Sequence, residues 1–134
     1  MDQQVKGEFD VSRTAEPDCD MGDGAVVGRN RFDKRFHGGL DASSVVQMLS
    51  VGTGVSGSAA YVALERVSGT LQGRAGSFFL QHSGTMARGA PTLSLTVVPD
   101  SGTDELTGLS GRMSIDIVEG KHFYTFDYTL DNAS

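Results

Sequence analysis

The chain has 134 residues, with 11 lysines and arginines against 17 acids, a formal net charge of -6. That length suits one domain with its own core, and the acidic balance argues against nucleic acid or an anionic membrane surface, both of which are recognised through clustered Lys and Arg. A single cysteine, Cys19, excludes an internal disulfide and every multi-cysteine metal site, and no apolar run is long enough to span a bilayer.

Eighteen glycines against three prolines divide the chain into alternating runs of roughly 8 to 12 residues, the pattern of an all-β sandwich or barrel. No stretch has helical periodicity. The spacing predicts strands over Lys6–Thr14, Val26–Phe36, Ser44–Thr53, Ala59–Gly69, Ala75–Met86, Thr92–Val98, Gly111–Glu119 and Lys121–Leu130. Residues 14–25, TAEPDCDMGDGA, are the most polar stretch and read as a long exposed loop carrying Cys19. Gly22-Asp23-Gly24, Gly38-Gly39, Gly102-Thr103-Asp104 and Glu119-Gly120 read as turns, the last a tight hairpin. The N-terminus has no charged-then-apolar leader pattern, so a cytoplasmic protein is expected. The sequon Asn132-Ala133-Ser134 carries little weight without secretion.

Two motifs invite over-reading. Gly52-Thr53-Gly54-Val55-Ser56-Gly57 matches GxGxxG, but the run after it stops at Ser68-Gly69 and no acid stands about 20 positions on, so it reads as a turn. Asp100-Ser101-Gly102-Thr103 matches the aspartic-protease signature, yet Pro99 precedes it and Pro-Asp-Ser-Gly is ordinary turn chemistry. His37, His82 and His122 come from remote strands that a barrel can bring together, which allows a three-histidine metal site in principle, but hydrogen-bonded interior or turn histidines are the simpler reading, and no cofactor motif is present. Asp18 and Asp20 flank Cys19 and disfavour its thiolate.

Side chains alternate between the faces of a strand, and parity places a polar set on apolar faces. Lys34 lies between Phe32 and Phe36. Tyr61 and Glu65 share a face with Ala63 and Val67. His82 goes with Phe78 and Leu80, and His122 with Tyr124, Phe126 and Tyr128. If these faces point inward, Lys34 and Glu65 need partners, and each other is the simplest choice. An apolar interior with a few convergent polar groups is the form of a small-ligand pocket. Lys34, Tyr61, Glu65, His82, His122 and Tyr124 are therefore the ligand-binding candidates. The fourth and fifth runs are apolar on both faces, which predicts cover by a second subunit in a dimer or trimer.

SAAYVALERVSGTLQGRAGSFFLQHSGTM, with TVVPDSGTDELTGLSGRMSIDIVEGKHFYTFDYTL, GEFDV and RFDKRFHG, resembles an uncharacterised bacterial domain family of the allene-oxide-cyclase-like barrels. The SGTDELTGLSGRM stretch more distantly resembles the Gly-Thr-Gly-x-Phe-x-Gly hairpin of the plant cyclases. The resemblance spans nearly the whole chain and implies a single domain over residues 1–134, an eight-stranded antiparallel closed barrel, and oligomers. It does not carry the cyclase reaction, because the family's catalytic glutamate and asparagine have no matching pair; Glu8 is the nearest acid. Three functions remain open: a binding barrel for an apolar small molecule, a cyclase or isomerase in which Glu65 or His82 moves protons, and a structural oligomer with a filled barrel.

Overall fold

The computed structural model describes residues 2–130, so the sequon at 132–134 lies outside the described residues. Eight antiparallel strands follow one another in a closed ring: β1 (Asp2–Gly22), β2 (Ala25–Phe36), β3 (Leu40–Gly52), β4 (Ala59–Leu71), β5 (Arg74–Ala87), β6 (Ala90–Val97), β7 (Leu109–Val118) and β8 (Lys121–Leu130). Each strand pairs with its chain neighbour, and β8 returns to β1 through rungs from Asp2–Thr129 to Phe9–His122. No α-helix occurs among the described residues; one 3-10 turn lies at Asp104–Leu106. No helix is therefore long and apolar enough to cross a membrane among them.

Four connections are two-residue turns of one kind: Asp23-Gly24, Gln72-Gly73, Arg88-Gly89 and Glu119-Gly120. Both residues of each have positive φ, between 47° and 91°. That geometry matches the twist of the flanking strands and favours Gly at the second position. Residues 14–25 are a correction to the expected loop. β1 runs on to Gly22, paired with β2, and register shifts between Glu16 and Cys19 and between Asp20 and Gly22 absorb the irregularity. Pro17, which has no N–H to give to a ladder, falls within the first shift, where a bulge tolerates it.

One end of the ring is filled. Val5, Leu40, Leu71, Phe78 and Phe126 are buried there, and the loop after β6 inserts Leu106. Thr103 N–H donates to the Ser77 carbonyl at 2.9 Å and ties that loop to β5. Phe78 stacks on Phe126 with ring centroids 5.7 Å apart, and Phe126 on Tyr128 at 5.3 Å. At the other end the inner face loosens. Phe32, Met48, Tyr61 and Ile115 are half-buried, and Leu93 and Ile117 are exposed. The ladder is also thinnest there. β6 and β7 register only at Leu95–Met113 and Thr96–Arg112.

Candidate ligand-binding site

Between the filled and open halves lies a layer of polar side chains supplied by four consecutive strands. Lys34 of β2 pairs with Ser44 of β3, Ser44 with Val67 of β4, and Ala63 of β4 with His82 of β5. Glu65, one inward step from both Ala63 and Val67, is central and meets its partners diagonally, within reach on a pleated face. Its Oε1 accepts from His82 Nε2 at 2.7 Å and from Lys34 Nζ at 3.3 Å, and its Oε2 accepts from Ser44 Oγ at 2.5 Å. Glu65 has 0% of its surface exposed, His82 4% and Lys34 9%. Burial alone would push the Glu65 carboxyl up. The His82 hydrogen bond, the Lys34 and His82 charges and the Ser44 hydroxyl outweigh it and hold the group below the usual carboxylate range. No buried side-chain nitrogen or oxygen lacks a partner among the described residues.

This layer is the floor of a cavity of about 260 Å³ in the open half, walled mainly by apolar side chains that include Phe9, Phe32, Met48 and Ile115. Lys34 and His82 reach its surface; Glu65 and Ser44 lie beneath them. The Lys34 ammonium sits over the Phe9 ring, 4.8 Å from its centroid, and 5.8 Å from that of Phe36. Tyr61 stands on the wall, its ring edge-on to His82 at 6.3 Å. It covers Gly84, where a Cβ would come within 2.5 Å of Tyr61 Cε1, so a side chain there would displace the ring. Burial, then the Glu65 charge, raises the Tyr61 hydroxyl above its ordinary value. His122 completes the far wall, 5.2 Å from Phe9.

Four of the six sequence candidates, Lys34, Tyr61, His82 and His122, thus line one cavity, and Glu65 lies beneath its floor. Tyr124 does neither. It faces inward but sits toward the filled end, where its hydroxyl donates to the His37 carbonyl at 2.7 Å and accepts from Leu40 N–H at 3.0 Å. Ser44 was not foreseen; a serine on an alternating strand carries no mark of its own. His37 is exposed on the outside, paired with Asp10 at 2.8 Å, and no group of three or more His, Cys, Asp or Glu is placed to hold a metal ion among the described residues. Glu8 is exposed and points outward. Cys19 lies in the outer groove beside Met21 and Val27.

A family model described as "Protein of unknown function (DUF3224)" matches residues 5–128. Among solved structures, the chain is similar to a protein of unknown function of the DUF3224 family from Shewanella oneidensis MR-1. The two are 49% identical with a TM-score of 0.90, over 97% of this chain and 98% of that one. No curated protein matches the chain.

Proposed function

The chain belongs to the DUF3224 family, and from that premise we propose that it binds a small, largely apolar molecule in the open half of the ring. One observation carries the reading: a mainly apolar cavity of about 260 Å³ ends on a buried lysine and histidine that reach its surface. An interior meant only to be filled would close over such groups. A cavity of this size holds on the order of ten heavy atoms, judged against ~30 Å³ for a water molecule. A thermal-shift screen of small lipids, terpenoids and aromatic acids tests it. A compound that stabilises the protein, but not a Met48→Trp variant with the cavity filled, is the expected result; no such compound in the screen would overturn it.

Three finer points belong to the same proposal. The closed eight-strand antiparallel order supports kinship with the allene-oxide-cyclase-like barrels. The outer face of β3 and β4 supports self-association, because Leu49, Val51, Val62 and Leu64 form an exposed apolar patch across these adjacent strands. A second activity, an isomerase, is favoured by the carboxylate-oriented imidazole, Glu65 to His82 Nε2 at 2.7 Å. That arrangement orients the ring through Nε2 and leaves Nδ1 as the nitrogen that would exchange a proton.

A further inference from the structure

We propose that the cavity takes small organic acids: an apolar body of on the order of ten heavy atoms bearing one carboxylate, which docks on Lys34 Nζ at the floor. The inference rests on the cavity reading above and adds the charge of the polar group.

The floor has more donors than acceptors. Glu65 cannot receive a ligand, since both of its oxygens are engaged by Lys34, His82 and Ser44 and none of its surface is exposed. The Lys34 ammonium carries three N–H donors and makes one hydrogen bond among the described residues, to Glu65 at 3.3 Å. Its other close neighbours are the rings of Phe9 and Phe36, whose faces attract a cation but are not hydrogen-bond acceptors of ordinary strength. An occupant that brings an anionic oxygen supplies what Lys34 lacks. One that brings an ammonium meets a like charge.

The rest of the inner face agrees. In a chain of net charge -6, the cavity lining carries Lys34, His82 and His122 and no carboxylate, Glu65 lying beneath the floor. Arg13 pairs across to Phe32, itself a cavity wall, and donates to Asn30 Oδ1 at 3.4 Å near the rim. A cation at the rim above a cation at the floor attracts an anion inward. A neutral alcohol is the nearest competitor, because its oxygen can accept from Lys34 without bringing a charge; the comparison with alcohols is therefore decisive.

Calorimetric titration of the whole chain with three matched probes tests the proposal: phenylacetate, 2-phenylethanol and 2-phenylethylamine, repeated with octanoate, octan-1-ol and octylamine. The acids are expected to bind at least tenfold tighter than the alcohols, and the amines not at all. Lys34→Arg should keep the preference. The double variant Lys34→Met, Glu65→Gln, which removes both buried charges together, should bring acid and alcohol to equal affinity. Alcohols or amines that bind wild-type protein as tightly as the acids would overturn the proposal and leave the cavity reading standing. Silence from all six probes would overturn both. An acid preference that survives in the double variant, or in Met48→Trp, would place the anion on the surface and overturn the proposal as well.

Discussion

Glu65 holds three neighbours at once, and its removal should be felt by all of them. Glu65→Gln keeps the shape and deletes the charge, leaving Lys34 buried beside an amide. Breaking a buried pair from one side costs about 3–5 kcal/mol, whereas replacing both members with neutral groups of similar size is often close to neutral. Urea unfolding should therefore show a large loss for Glu65→Gln and recovery of most of it in Lys34→Met, Glu65→Gln. Equal stability of the single variant and wild type would mean that the pair does not hold the floor. The same carboxyl sets an acid limit. Its proton affinity is lower in the folded protein than in the unfolded chain, so its stabilising contribution is complete above the ordinary glutamate value of 4.5. The contribution fades as pH falls through that value toward the depressed folded one. Unfolding midpoints measured from pH 7 down to pH 3 should drop more steeply for wild type than for the double variant.

At the level of the strands, alternation was enough to find all eight and to put Lys34 and Glu65 on one inner face. It could not say how far along the ring each residue sits. Parity decides the face; register decides the height, and register depends on turns. Three of the four tight turns have no Asn or Asp at the first position; Glu119-Gly120 stands out because strongly alternating runs flank it, whereas Gln72-Gly73 and Arg88-Gly89 carry no such mark. Parity therefore groups Tyr124 with the cavity, whereas it faces inward toward the filled end. The polar far half of β1, with Pro17, has the composition of a loop, and only its pairing with β2 reveals a strand. Such a turn also offers a test. Arg88 sits at φ 50°, a region where asparagine is much more at ease than arginine. Arg88→Asn should raise stability by about 0.5 kcal/mol, read as a higher urea midpoint with unchanged slope; a lower midpoint would show that the arginine has another task.

For the whole molecule, the apolar exterior and the thin seam matter most. Val62 and Leu64 are 55% and 54% exposed on β4, next to Leu49 and Val51 of β3. Sedimentation at micromolar concentration should show a dimer or trimer, and Leu64→Glu should shift it to monomer without unfolding it, since that side chain points away from the interior. A wild-type monomer across that range would end the proposal of self-association. The seam has a different consequence. A ring laddered all round has a fixed girth, because widening it means breaking a row of hydrogen bonds. This ring is fastened between β6 and β7 by two rungs, more like a split collar than a hoop. The strands beyond that clasp, which carry Leu93, Ile115 and Ile117 over the cavity, can part or close with few bonds at stake. The bore is therefore adjustable on one side only. If the cavity binds as proposed, a molecule somewhat longer than it would be accommodated by the β6–β7 side giving way while the Lys34–Glu65–His82 floor, held by β2 to β5, stays in place.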